Sequence, residues 1–90
     1  MTNLNNKNII VTGASGGIGN SIVKSLSDCG ANILATGTKF EKLEKLKSEY
    51  NKIKILQFDI SKSEKIEGFI DEATSELGGN LDCIINNAGI

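Results

Sequence analysis

The chain has 90 residues, 39% of them hydrophobic and 23% charged, and a formal net charge of -1. That balance describes a soluble globular chain and excludes disordered, fibrous and membrane-spanning classes. One domain is the ceiling, and its core is expected to be thin, since a chain this short buries only somewhat more than about 60% of its unfolded surface.

Lysines alternate with glutamates from Lys39 to Glu49 and form no basic patch, so nucleic acid is not an expected partner. The N-terminal residues Met1 to Lys7 lack an apolar core of the kind a secretion signal carries. No run approaches the about 18 apolar residues of a membrane span, and the expected location is the cytoplasm. Cys29 and Cys83 are far apart in a chain without histidine, which argues against a metal or redox centre and for two small reduced core residues.

In chain order, the apolar run Ile9-Ile10-Val11 predicts a first strand over Asn8 to Thr12. Ile18, Ile22, Val23 and Leu26 then recur at helical spacing, and this helix is expected to stop near Gly30. A second strand is predicted over Asn32 to Thr36. A second helix follows, with Phe40, Leu43, Leu46 and Tyr50 on its apolar stripe and lysines and glutamates on its wet face. A third strand is predicted over Lys54 to Phe58. The Ser61-Lys62-Ser63-Glu64 run fits a capping box for a third helix, whose stripe is Ile66, Ile70, Ala73 and Leu77 and which Gly78-Gly79 ends. The last strand is predicted over Leu81 to Asn86.

The result is βαβαβαβ, an α/β fold. Strands one and four read as continuous apolar runs, which suits a parallel sheet covered by helices on both faces. Right-handed crossovers then predict a partial, doubly wound, Rossmann-like sheet with strand order 3-2-1-4. In such sheets ligands bind where the winding reverses, beyond the carboxyl ends of strands one and four. Two polar motifs converge there. After strand one comes Thr12-Gly13-Ala14-Ser15-Gly16-Gly17-Ile18-Gly19, and after strand four Asn86-Asn87-Ala88-Gly89. The glycines permit a tight turn in which backbone amides and the positive end of the first helix face a pyrophosphate. A P-loop NTPase is disfavoured, because Gly19-Asn20-Ser21 lacks the lysine that reaches the terminal phosphates. A methyltransferase stays conceivable, although an acidic residue ending strand two would be expected for its cofactor.

Three features in order, the glycine motif at 12 to 19, Asp59-Ile60 after strand three and Asn-Asn-Ala-Gly at 86 to 89, make the chain resemble the short-chain dehydrogenase/reductase family over its whole length. Within that family, Ile-Val-Thr-Gly-Ala-Ser and Asn-Asn-Ala-Gly-Ile look most like 3-oxoacyl-[acyl-carrier-protein] reductases. The resemblance implies that residues 1–90 are the N-terminal part of a single NAD(P)-binding domain. It also implies that Gly13, Ala14, Ser15, Gly16, Gly17, Ile18 and Gly19 line the pyrophosphate and ribose, and that Asp59 accepts from the adenine amine while Ile60 packs beside the ring. Asn87, Ala88 and Gly89 would run under the nicotinamide-side ribose. For Asn86 a purely structural tie between neighbouring backbones is an equal alternative.

The cofactor expected is NADP rather than NAD. At the end of strand two stands Ala35-Thr36-Gly37-Thr38-Lys39, with no carboxylate to accept a ribose 2′-hydroxyl or repel a 2′-phosphate. Thr38 offers a hydroxyl and Lys39 a charge, while Glu41 lies a turn too far on. Many NADP-using relatives carry arginine where this chain has Gly16.

The family's chemistry needs a tyrosine, lysine, serine and asparagine that belong after residue 90, and no catalytic residue is expected within this chain. Tyr50 falls on the stripe of the second helix and reads as core or rim. Two kinds of function follow. One is the cofactor-binding part of a homotetrameric NADPH-dependent reductase that acts on a small or carrier-bound 3-oxoacyl thioester, or of a relative acting on a sugar or polyol. The other is a non-catalytic nucleotide-binding module or relic. The edge Leu81 to Ile85 is apolar and unpaired on its far side, so the 90-residue chain by itself is expected to be partly molten or to associate.

Overall fold

A computed structural model describes residues 3–59 and 61–87. Four strands, β1 (Asn8–Thr12), β2 (Asn32–Gly37), β3 (Lys54–Gln57) and β4 (Cys83–Asn86), alternate with three helices, α1 (Gly17–Asp28), α2 (Phe40–Glu49) and α3 (Ile66–Glu76). All pairings are parallel and the sheet runs β3-β2-β1-β4, the order that the alternation predicts.

The side-chain period of two sends neighbouring residues of the central strands into separate cores. Ile9 and Val11 of β1, with Ile33 and Ala35 of β2, pack against Val23 of α1 and against Leu43 and Leu46 of α2. Ile10 and Leu34 point the other way, to Phe69, Ala73 and Leu77. Helices therefore cover both faces of β1 and β2, which is why these strands show unbroken apolar runs. Each fully buried side chain such as Ile10 or Leu34 contributes on the order of 1.5–3 kcal/mol by leaving water. α1 and α3 end in the same way: Ala31 N–H donates to the Leu26 carbonyl at 3.2 Å and Gly79 N–H to the Thr74 carbonyl at 2.9 Å, wide bonds that close the last turn.

Several expectations need correction. No side chain caps α3, and a 3₁₀ turn at Ser63–Lys65 precedes it. Lys62, not Ser61, stands at the N-cap of that turn, so the expected capping box does not form, and Ser61 closes onto Asp59 with its hydroxyl on Oδ1 at 2.7 Å. The buried stripe of α3 is Phe69, Ala73 and Leu77, and Ile66 and Ile70 are only half-buried at its margin. Phe69 stacks on Phe58 with ring centroids 4.3 Å apart, which draws that face of the helix onto the sheet. Phe40 sits in the first turn of α2 beyond the end of β2 and is exposed, so the stripe of α2 is carried by Leu43 and Leu46, with Tyr50 half-buried against the same core. β3 ends one residue before Phe58. β4 begins at Cys83 rather than Leu81 and is not covered on both faces: Ile85 packs on the α1 and α2 side while Ile84 is exposed. Of the two cysteines expected in the core, Cys29 is half-buried and Cys83 is exposed on this strand. Among the described residues no helix is long and apolar enough to cross a membrane.

Candidate nucleotide site

The carboxyl ends of the strands meet the loop between β1 and α1. Gly13 turns the chain there with φ 64°, a conformation that favours glycine, and its carbonyl accepts from Gly16 N–H at 3.3 Å. Ala14 is fully buried, and its amide is engaged by the Thr36 carbonyl at 2.9 Å, so this residue anchors the loop to β2. Gly19 lies on the inner side of α1, where a Cβ would come within 2.7 Å of Ala14 Cα. The helix can therefore approach the loop only because this position has no side chain. Gly16 precedes α1 without a side-chain cap, and the amides of the first turn, Gly17 to Gly19, have no acceptor within the helix. Ile18 projects from the same turn and is 67% exposed.

A cavity of about 320 Å³ opens beside this loop, lined by Thr12, Gly13, Ser15, Thr36, Gly37, Thr38, Phe58, Asp59 and Ser61. It gathers Gly13, Ser15, Thr38 and Asp59 of the expected site. Gly16 and Gly17 line a neighbouring cleft toward Lys42 and Lys45 of α2, and Ser15 borders both. Asn87 is tied in from β4: its amide nitrogen Nδ2 donates to the Gly13 carbonyl at 3.2 Å. Ile60, Ala88 and Gly89 lie outside the described residues. A larger cavity, about 470 Å³, is at the opposite end of the sheet, among Asn5, Gly30, Asn32, Tyr50 and Ile53. Size is the weaker criterion here, because ligands of open parallel sheets bind beyond the carboxyl ends of the strands.

Asp59 owes its geometry to Ser61. The Ser61 hydroxyl and backbone N–H both donate to Asp59 Oδ1, at 2.7 and 3.0 Å, closing an Asx turn and leaving Oδ2 as an acceptor. These two bonds, with a smaller contribution from the Lys62 charge, hold the Asp59 carboxyl below its ordinary range. Asp59 is thus a fixed carboxylate at neutral pH.

Thr12 is a hub that the sequence reading passed over. Its Oγ1 accepts the Asn87 backbone N–H at 3.0 Å, and the Asn86 Oδ1 and Ile85 carbonyl lie at 3.0 and 3.4 Å as acceptors for its hydrogen. Asn86 is therefore a tie between β4 and β1, the structural alternative weighed for it. Ser61 and Phe58 are further lining residues outside the expected site. The Asp-x-Ser spacing is the signal for the first, an Asx-turn pattern masked by the competing capping box.

Two observations bear on whether a dinucleotide suits these residues. The loop is free of bulk where it faces outward, since a Cβ at Gly17 would meet nothing within 4 Å and one at Gly16 only the Gly13 carbonyl at 3.8 Å. In addition, the Thr36 hydroxyl is buried with no hydrogen-bond partner among the described residues, and Thr36 lines the cavity. Uncapped helix amides, a bulk-free loop and a fixed carboxylate form a donor and acceptor set that fits a phosphate at one end and an amine at the other.

Comparison with known proteins points the same way. A family profile described as "short chain dehydrogenase" matches residues 7–90. The 3beta-hydroxysteroid dehydrogenase 2 of Eggerthella lenta is 38% identical over 85 residues, covering 90% of this chain and 32% of that protein. Nodulation protein G of a Rhizobium species is 37% identical over 91 residues, covering 100% of this chain and 37% of that protein. The crystal structure of a hydroxysteroid dehydrogenase from Escherichia coli superposes with a TM-score of 0.88 at 27% identity, over 98% of this chain and 39% of that one. The chain thus spans roughly a third of the length of its curated relatives, 32% and 37% in these two cases. With its sheet order, its glycine turn and a profile match over nearly its whole length, this chain belongs to the short-chain dehydrogenase/reductase family.

Proposed function

We propose that residues 1–90 form the cofactor-binding part of an NADPH-preferring reductase that converts a 3-oxoacyl thioester to the 3-hydroxyacyl product. The observation that carries the reading is the single cavity bordered by Gly13, Ser15, Thr38 and Asp59. In this reading the first-turn amides of α1 and the Ser15 hydroxyl hold the pyrophosphate. Asp59 Oδ2 accepts from the adenine amine, with Oδ1 locked by Ser61. Thr38 donates to the ribose 2′-phosphate and Lys39 supplies charge beside it, with no carboxylate ending β2 to repel it. Asn87 holds the Gly13 carbonyl, and with it the turn, against the end of β4. The bound nicotinamide supplies the hydride, and the proton comes from residues of the whole protein beyond this chain. The same reading makes the whole protein a cytoplasmic homotetramer that takes a small or carrier-bound substrate.

The motif words Ile-Val-Thr-Gly-Ala-Ser and Asn-Asn-Ala-Gly-Ile support the thioester substrate. A second reading, reduction of a steroid ketone, is favoured by the hydroxysteroid dehydrogenases among the similar proteins. The test titrates the full protein with NADPH and NADH, then follows NADPH consumption with an acetoacetyl thioester and a 3-oxosteroid, and NADP reduction with a polyol. The reading expects tighter NADPH binding and turnover of the thioester. Equal affinity for the two cofactors would refute the roles of Thr38 and Lys39, turnover of the steroid or polyol alone would replace the substrate, and no dinucleotide binding would leave only a non-catalytic module.

A further inference from the structure

The segment joining β2 to α2 is short, and only the Lys39 carbonyl is tied into α2, accepting from Lys42 and Leu43 N–H at 3.1 and 3.2 Å. Between Gly37, the last residue of β2, and Phe40, the first of α2, stand only Thr38 and Lys39. Lys39 precedes the helix without a side-chain cap, and both residues are exposed. Two successive residues at the end of β3 reach across to this segment. Phe58 N–H donates to the Gly37 carbonyl at 3.0 Å, and Gln57 Nε2 donates to the Thr38 carbonyl at 2.8 Å. The first is the sheet ladder running on by one step. The second comes from a side chain, and among the described residues no other side-chain hydrogen bond reaches Thr38 or Lys39. The amide orientation is secured by chemistry, since a flipped Gln57 would set its oxygen against the carbonyl oxygen of Thr38.

Gln57 is itself exposed and gains little by burial, so its bond matters for where it puts the backbone. Two residues further along the same strand exit stands Asp59. We infer that Gln57 is a positioning residue that fixes the Thr38 segment relative to Asp59, so that the group facing the ribose and the group facing the adenine keep one separation before the nucleotide arrives. This rests on the proposed roles of Thr38 and Asp59. Gln57 does not line the cavity, and it acts through the Thr38 carbonyl by removing freedom that binding would otherwise have to freeze.

The experiment is a double-mutant cycle on the full protein with Gln57→Met, which keeps length and removes the donor, and Thr38→Val. The readouts are NADPH and NADH affinity by fluorescence titration and, without ligand, amide hydrogen exchange over residues 37–39. Gln57→Met is expected to weaken NADPH binding roughly three- to tenfold, the span of one hydrogen bond, and NADH binding less. The double variant is expected to discriminate between the cofactors no worse than Thr38→Val alone. Exchange over 37–39 should quicken with an unchanged thermal midpoint. If Thr38→Val leaves the NADPH to NADH ratio untouched, or the unmodified protein binds neither cofactor, the reading of Thr38 falls and this inference with it. If Thr38→Val lowers the ratio while Gln57→Met does not, if the two effects simply add, or if exchange stays slow, the inference alone is overturned.

Discussion

The two ends of the sheet both tie strands with polar side chains, but only the carboxyl end also leaves polar groups open. At the amino end, Asn8 is buried and ties three segments together: its backbone N–H donates to Asp82 Oδ2 at 2.8 Å, its Nδ2 donates to the Asn80 carbonyl at 2.8 Å, and its Oδ1 accepts from Asn32 Nδ2 at 3.0 Å. At the carboxyl end, the buried Thr36 hydroxyl has no partner among the described residues, the first turn of α1 has no side-chain cap, and Asp59 keeps Oδ2 as an acceptor. A buried polar group without a partner costs about 1–3 kcal/mol, so the carboxyl end forgoes stability that the amino end secures. Polar groups that are saturated hold strands in place, and groups left open are those a ligand can complete.

The largest expected effect breaks the open end by steric means. Gly19→Val places side-chain atoms against the backbone of Gly13 and Ala14, and we expect a loss of about 3 kcal/mol or more together with loss of dinucleotide binding. Chemical denaturation and nucleotide titration measure the two separately, and intact binding would show that the loop tolerates bulk. Next comes the saturated end. Asn8→Ala leaves the Asn80 carbonyl and the Asn32 amide without their partner and should cost about 2–3 kcal/mol while nucleotide affinity stays unchanged. A fall in affinity as large as the fall in stability would erase the distinction between the ends.

Thr36→Val has the opposite sign. It removes the unpartnered hydroxyl with little change of shape, and the unliganded protein should gain about 1 kcal/mol. A loss of stability would show that the hydroxyl has a partner when the protein is in solution. The smallest effect concerns acid. The carboxyl of Asp59 is held below its ordinary range by Ser61, so its contribution is complete above the unfolded value of about 3.9 and disappears as pH falls through the lower folded value. Asp59→Asn should therefore flatten the acid limb of the stability profile slightly and leave stability between about pH 5 and 8 free of any slope from this group. A dependence on Asp59 within that neutral window would contradict the assigned direction.

Much of this was legible in the chain itself. The strand runs and helical stripes gave the element order, and the element order gave β3-β2-β1-β4, because a parallel crossover has one favoured hand. The glycine turn was legible because close backbone approach restricts residue choice, as the contact space at Gly19 demonstrates. Competition between local motifs was not legible. Ser61 has equal sequence credentials as a helix cap and as the partner of Asp59, but the first turn starts at Ser63 with Lys62 at its N-cap, so Ser61 lies one residue too early to cap it and closes the Asx turn instead. Phe69 was missed because Ile66 and Ile70 complete an equally regular stripe, and only the Phe58 ring across the sheet decides which face turns inward. Thr12 looked like a strand end, and its role depends on residues more than seventy positions away, its bonds to Asn86 and Asn87 spanning separations of 74 and 75.

Those separations set a schedule for biogenesis. The turn at Gly13 leaves the ribosome early, yet two of the tethers that hold it, from Asn87 to Thr12 Oγ1 and to the Gly13 carbonyl, come from the residue that follows β4. Loop closure over such a distance is slow compared with helix formation, so α1 can coil while its leading turn still lacks its final support. Nascent chains halted before β4 has emerged should accordingly hold the Gly13 turn loosely even with the entire glycine motif exposed, and the turn should firm once Asn87 clears the exit tunnel.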